Sequence, residues 1–215
     1  MLIKQKTWRA AMVVVLMLPT VFSLGGCELA YLLAGNGSHA ALYKLPKKDR
    51  ILVLVDTSAK SQLTIHAMAT LMTLVNQILY QHRCANNFVP AYRIVALQRR
   101  NPVQYHAMGI ANIAQAVNAN AVVYIFVKRF DVTLESAGQL TKGRAEAMVK
   151  VVDENGNRLW PKNGSPGVSV TARIPTATTV SQSPEAVQNA MVTILARRIS
   201  RIFYRYSLGY QPKSQ

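Results

Sequence analysis

The sequence predicts an α/β (α+β) fold: a single mixed sheet with helices packed on it, in the order β-α-β-α-β-β-β-β-α. Three observations predict it. Ile51-Leu52-Val53-Leu54-Val55-Asp56 and Ala121 to Phe130 are continuous β-branched, Leu and aromatic runs, the pattern of strands covered on both faces. Gln62 to Arg83 has neither Pro nor Gly and spaces its apolar residues as a helix does. Residues 144–153 alternate and run into Glu154-Asn155-Gly156-Asn157, and Asn-Gly is the strongest short hairpin signal. One sheet with helices packed on it accommodates all three.

Taken in order, the strand at 51–56 is followed by Thr57, Ser58 and Ser61, which offer N-caps. Leu63, Met68, Leu71, Met72, Val75, Ile78 and Leu79 then form the seam of a long helix over 62–83. Asn86-Asn87 is a turn, and Tyr92, Ile94, Val95 and Leu97 predict a strand over 92–97. Asn101 before Pro102 caps a short helix at 102–107. Ile110, Ile113, Ala114 and Val117 share one face of a helix over 109–118, ended by Asn118-Ala119-Asn120. After the strand at 121–130, residues 135–143 read as a polar loop with Gly138 and Gly143. In the strand at 144–153, Ala145, Ala147, Val149 and Val151 oppose Arg144, Glu146, Met148 and Lys150 across the pleat, so one face is wetter. Arg158-Leu159-Trp160-Pro161 begins the returning strand, Asn163 to Gly167 turns again, and Val168 to Ile174 is a further strand. A Pro, Thr and Ser rich connector at 175–183 leads to the cap pair Ser183-Pro184. The last helix is predicted over 184–206, with Met191, Leu195, Ile199, Ile202 and Tyr206 as its seam.

The first 26 residues have a different character. Lys4, Lys6 and Arg9 precede the apolar run Ala10 to Phe22, and Leu24-Gly25-Gly26 then leads to Cys27. This is the layout of a secretory signal peptide. The run is shorter than the roughly 20 residues needed to span a bilayer, and Pro19 interrupts it. Gly25 and Gly26 let an extended backbone seat in a peptidase, and Leu24 fills an apolar pocket. Leu24-Gly25-Gly26-Cys27 resembles the lipobox of bacterial lipoproteins. The resemblance implies cleavage before Cys27 and a diacylglycerol thioether on its sulfur. Several acyl chains together hold a protein stably on a membrane, each buried CH₂ contributing about 0.8 kcal/mol. Glu28 follows, where an Asp favours inner-membrane retention in enterobacteria, so sorting to the outer membrane, facing the periplasm, is the expectation.

Domain boundaries follow: residues 1–26 a signal, 27–48 a lipidated tether, 49–207 the α/β domain and 208–215 a tail. Removing the signal leaves 189 of the 215 residues, enough for one domain with a real core. The formal charge is +16, and +13 remains once the three cations of the signal are gone. That balance has two readings: an anionic partner such as lipid headgroups or an acidic envelope polymer, or solubility alone. Nucleic acid is not expected in an exported chain. With Cys27 lipidated, Cys84 has no internal partner; it is expected to be a small buried hydrophobe, the alternative being an intermolecular disulfide.

Residues that carry chemistry are few. His39, His66, His82 and His106 form no pair at helical spacing, and no metal or cofactor is expected. Nucleophile and phosphate-loop motifs are absent from the sequence, and its nine acids make no convincing acid/base pair, so an enzyme is not expected. Asp56 is the best single carboxylate. It ends a strand of parallel type, where α/β sheets place ligands, or it is a turn or cap residue. Asp153 and Glu154 read as turn chemistry. Arg197, Arg201 and Arg205 recur every four residues with Arg198 beside them. They form either a docking stripe for an anionic surface or partner, or a solvated face favoured by the helix dipole.

Ile51 to Pro161 carries a second resemblance. Ile110 to Tyr124 is similar to a "helix, Gly-Ala-Asp, apolar strand" pattern, with Asn118-Ala119-Asn120 departing from it. Val149-Lys150-Val151-Val152-Asp153 with Gly156, Leu159 and Trp160 resembles the hairpin of the same group. That group is the α/β domain of TolB N-terminal domains, penicillin-binding-protein activator lipoproteins and curli-secretion lipoproteins; a family of uncharacterised bacterial lipoproteins is similar as well. The resemblance implies assembly or regulation at the envelope. The expectation is a lipid-anchored, non-enzymatic envelope protein with a protein partner in cell-wall or envelope assembly. The alternatives are a subunit of an outer-membrane secretion assembly, or an envelope hydrolase. The interval 131–143 is too short for two membrane-crossing strands of about 9–11 residues each, which disfavours a pore.

Overall fold

The computed structural model describes residues 38–59, 61–134, 141–162, 164–174 and 183–207. They belong to two units: residues 41–204, and a second that includes residues 38–40 and 205–207. In the second unit Ser38–His39 (β1) pairs antiparallel with Tyr206–Ser207 (β8), and the rings of His39 and Tyr206 stack 5.0 Å apart. No helix among the described residues is long and apolar enough to cross a membrane.

The unit 41–204 is the predicted mixed sheet with helices. Its strands are Arg50–Thr57 (β2), Asn87–Phe88 (β3), Ala121–Leu134 (β4), Thr141–Asp153 (β5), Arg158–Trp160 (β6) and Val168–Arg173 (β7). They lie in the order β3-β2-β4-β5-β6, with β7 beside β6 on the same edge of β5. β3, β2 and β4 are parallel, and the rest of the pairs are antiparallel. The helices are Ile65–Gln81 (α1), Ala91–Arg100 (α2), Pro102–Ala107 (α3), Ile110–Ala116 (α4) and Pro184–Ser200 (α5).

Parity decides which face each strand residue serves. A Cβ on Gly143 would lie 2.5 Å from Met191 Cε, so the odd-numbered residues of β5 face α5. Val149 pairs with Ile125 and Val123 with Val53, which puts Val53, Val55, Val123, Ile125 and Val149 on that face. All five are buried beneath α1 and α5. The opposite face carries Leu52, Leu54, Asp56, Val122, Tyr124 and Lys150. A bulge at Lys128 reverses the parity, and Phe130 thereby joins Ala145 in the core at 1% exposure. Beyond the bulge, Arg129 with Asp131 and Arg144 with Glu146 form ion pairs along the hairpin.

Several expectations change. Residues 92–97 are helix α2, not strand. Their apolar positions do not alternate; Ile94 is buried while Tyr92, Arg93, Ala96, Arg99 and Arg100 are exposed. Pro90 lacks the N–H that would extend the β3 ladder and sits at the N-cap of α2 instead. The cap of α1 is Thr64, whose hydroxyl accepts from Ala67 N at 3.2 Å. Thr57 and Ser58 reach across to β4 instead, donating to Val127 O and Lys128 O, and Ser61 accepts from Leu63 N. Residues 141–143, expected in a loop, continue β5, because Gly143 makes room for Met191 and Ile174. Likewise Val132 to Leu134 extend β4 into the interval expected to be loop.

The last helix stops at Ser200 rather than 206, and Tyr206 leaves its predicted seam for β8. Ile202 and Phe203 remain buried through a tight turn bonded to Ile199 O and Ser200 O. The compact unit begins at Ala41 rather than 49: Leu45 is buried and Tyr43 packs 5.8 Å from Trp160. The caps at Asn101 and Ser183 form as expected, accepting from Gln104 N and Ala186 N.

Candidate functional site

The connection from β2 to β3 runs one way across the sheet and the connection from β3 to β4 returns past β2. The chain therefore reverses its winding between β2 and β4, and α/β sheets hold ligands at the carboxyl ends of strands at such a point. β3 pairs with β2 only at Arg50 and Ile51, so α1 and α2–α4 close around the upper part of β2 and leave a cleft of about 410 Å³. Leu54 to Thr57 and Tyr124 line it from the sheet. Ile65, Met68 and Met72 come from α1, Ile94 and Gln98 from α2, and Tyr105, Met108, Ile110 and Ile113 from the later helices and their turns. The lining is mostly apolar, and its methionines adapt readily to different shapes.

Asp56 is the carboxylate at the rim. It is exposed, its Oδ1 accepts from Thr57 N at 2.8 Å, and its Oδ2 accepts from the Tyr124 hydroxyl at 2.9 Å. Burial pushes the Tyr124 phenol well above its ordinary value of 10.0, and the charge and hydrogen bond of Asp56 push the same way. Tyr105 lines the same cleft, and its phenol is raised by burial and then by the charge of Asp56. Lys150 stands directly opposite Tyr124 in the register, with Nζ 4.9 Å from the ring centroid. Burial and then Arg158 lower its pKa. A phenol with a raised pKa is a poor acid near neutrality. The arrangement is suited to receiving a cationic or hydrogen-bond-donating group on an apolar stem.

Asp56 was legible in the sequence from its place at the end of a buried strand. Tyr124, Tyr105 and Lys150 were not. The only signal for Tyr124 is that it shares parity with Asp56 once β2 and β4 are paired in register, and nothing in the sequence states that register. Asp153 is a turn residue, as expected: Asn155 N and Asn157 N donate to it, and its pKa is lowered chiefly by the Asn157 side chain. Glu154 accepts from the Asn120 side chain at 3.0 Å.

The other predicted residues divide. Leu24, Gly25, Gly26 and Cys27 lie outside the described residues. Cys84 is buried and free, and burial raises its thiol pKa. The arginine stripe does not survive as one helical row. Arg197 is exposed in the last turn of α5, Arg201 is its C-cap, and Arg198 turns to donate to Thr171 O at 3.0 Å. Arg205 lies past the end of the helix, in the other unit. Among the described residues, no group of three or more His, Cys, Asp or Glu side chains gathers to hold a metal.

No family model matches the chain. No curated protein matches it. Among solved structures it is similar to the lipoprotein GNA1162 from Neisseria meningitidis, with a TM-score of 0.44, 17% identity, and coverage of 72% of this chain and 99% of the other. It is similar to the PelC dodecamer from Paraburkholderia phytofirmans at TM-score 0.42 and 12% identity, covering 79% and 96%. A minor lipoprotein from Acinetobacter baumannii follows at 0.36 and 15%, covering 70% and 89%. Likeness this distant assigns neither a family nor an activity.

Proposed function

We propose that the chain is a lipid-anchored protein of the bacterial envelope, held at the outer membrane through Cys27, that binds a protein partner in envelope assembly and performs no chemistry of its own. The observation that carries the binding role is the apolar cleft with one carboxylate at its rim. Asp56 is engaged by a phenol and a backbone amide, not by a base that would activate a nucleophile. The partner's contribution is a lysine or arginine side chain on an apolar segment, its stem against Met68, Met72 and Met108 and its charge at Asp56. The lipobox motif supports the anchor.

A photo-crosslinking amino acid at Gln98, on the rim of the cleft, tests the reading in cells. A discrete protein adduct is expected, and Asp56→Asn should reduce its yield by roughly tenfold, the scale of one charge-assisted hydrogen bond. An adduct indifferent to Asp56→Asn, or formed equally from Lys128 outside the cleft, would overturn the assignment. Turnover of an envelope polymer that disappears in Asp56→Asn would instead make the chain an enzyme. For the anchor, Cys27→Ser should move the chain out of the detergent phase on phase separation, and unchanged partition would sink it.

A further inference from the structure

The pole opposite the cleft has a composition of its own. Three segments converge there: the entering chain, the end of α1 and the end of α5. Leu42 N and Tyr43 N both donate to Ile202 O, at 2.8 and 3.2 Å. The His82 ring stacks on Tyr204 with centroids 3.6 Å apart and planes within 5°. Cys84 Sγ lies 3.6 Å from Phe203 O. Across 41–49, 82–84 and 197–204 the cations are Lys44, Lys47, Lys48, Arg83, Arg197, Arg198 and Arg201, and the only acid is Asp49. Lys44, Lys47, Lys48, Arg83 and Arg197 are exposed and in no ion pair among the described residues.

Arg83 adds an independent observation. α1 ends in a Schellman motif, with Cys84 N donating to Leu79 O and Arg83 N to Tyr80 O, both at 2.9 Å. Arg83 occupies the left-handed position at φ 54, where glycine is favoured. Helix dipoles account for a cation in the last turn of α5. They favour a cation at Arg83, just past α1, as well, but not the left-handed backbone it holds there, and they do not account for the run from Lys44 to Lys48.

We propose that this pole is a docking face for anionic lipid headgroups of the membrane that anchors the chain. The inference rests on the lipid anchor of the preceding reading. Only 13 residues lie between Cys27 and Ala41, so Ala41 stays within about 50 Å of the anchored cysteine even at full extension. Docked in this way, the protein turns the Asp56 cleft outward, about 20 Å further from the bilayer along β2.

The test uses the lipidated full chain on vesicles of phosphatidylcholine alone and on vesicles that also contain phosphatidylglycerol. Pulsed amine acetylation read by mass spectrometry compares Lys47 and Lys48 with Lys128, which lies beyond the cleft. On anionic vesicles Lys47 and Lys48 should label roughly fivefold more slowly and recover at high salt, while Lys128 does not change. The double variant Arg83→Gly, Arg197→Gln should still float with both vesicles and lose most of that protection. Glycine at 83 suits the left-handed turn, so misfolding does not explain the loss. Flotation with equal labelling on the two vesicles would overturn the docking face and leave the anchor standing. Binding to neither vesicle would overturn both. Protection in isolated envelopes but on neither vesicle would hand the surface to an acidic protein and refute the lipid proposal.

Discussion

The Tyr124–Asp56 contact offers the most direct check on the cleft. The perturbation is Tyr124→Phe, which keeps the ring over the sheet and beneath Lys150 and removes only the hydroxyl. That hydroxyl donates to Asp56 Oδ2 at 2.9 Å. A buried hydrogen bond to a charged group is worth about 1.5–3 kcal/mol. Asp56 is exposed and recovers water when the phenol is gone, so the expected loss is about 1 kcal/mol. In a unit of this size that lowers Tm by roughly 2–4 °C. The assay is a double-mutant cycle in urea with Tyr124→Phe and Asp56→Asn. The coupling should be about 1 kcal/mol, and additivity within about 0.3 kcal/mol would refute the contact. An alkaline limb checks the same geometry. The Tyr124 phenol is raised by burial, then by the charge of Asp56, then by their hydrogen bond. The native state therefore holds this proton to higher pH than the unfolded chain does. The resulting stabilisation is full below the ordinary value of 10.0 and is lost as pH rises beyond it. Tyr124→Phe should flatten that loss, and an unchanged alkaline limb would contradict the assignment.

Three further outcomes follow from packing and backbone. A Cβ on Gly167 would come within 2.9 Å of Val149 O, so Gly167→Ala should cost about 2–3 kcal/mol in urea unfolding and loosen β7 from β5. Arg83→Gly should raise stability by about 0.5–1 kcal/mol in the same assay, because the left-handed position no longer carries a Cβ. Cys84 is buried with a raised thiol pKa, so in the Cys27→Ser chain a thiol reagent should react at a rate that follows unfolding; prompt reaction under native conditions would place Cys84 at the surface.

The departure of Asn118-Ala119-Asn120 from the Gly-Ala-Asp pattern has a structural resolution. Asn118 takes the left-handed position at φ 55, which asparagine tolerates better than most residues. Ala119 N donates to Ala114 O and Asn118 N to Gln115 O, the two bonds of a Schellman motif. Asn120 uses both ends of its amide, accepting from Arg50 N at 3.2 Å and donating to Glu154 at 3.0 Å. One asparagine thus joins the entry of β2, the start of β4 and the hairpin after β5.

The sequence by itself determined the strands and helices whose burial is nearly complete, because a continuous apolar run or an unbroken helical seam has few alternatives. The run at 51–56, the seam from Met68 to Leu79 and the Asn155-Gly156 turn are of this kind. It also determined the charge, and the Cys27 motif on which the proposed anchor rests. It misjudged 92–97 and 141–143, where short apolar content does not choose a period and a glycine reads as a loop although Met191 needs its space. Only the tertiary structure decided the cleft. Tyr124 and Tyr105 stand 68 and 49 residues beyond Asp56 in the chain, and strand register alone brings Tyr124 onto the Asp56 side of the sheet. It also decided the basic pole. Helical spacing grouped Arg197, Arg201 and Arg205, but α5 ends at Ser200, before Arg201 and Arg205. The stacking of His82 on Tyr204 brings the end of α1, with Arg83, to that surface instead. Spacing along a chain reports neighbours on one element, whereas a surface is made by the ends of several.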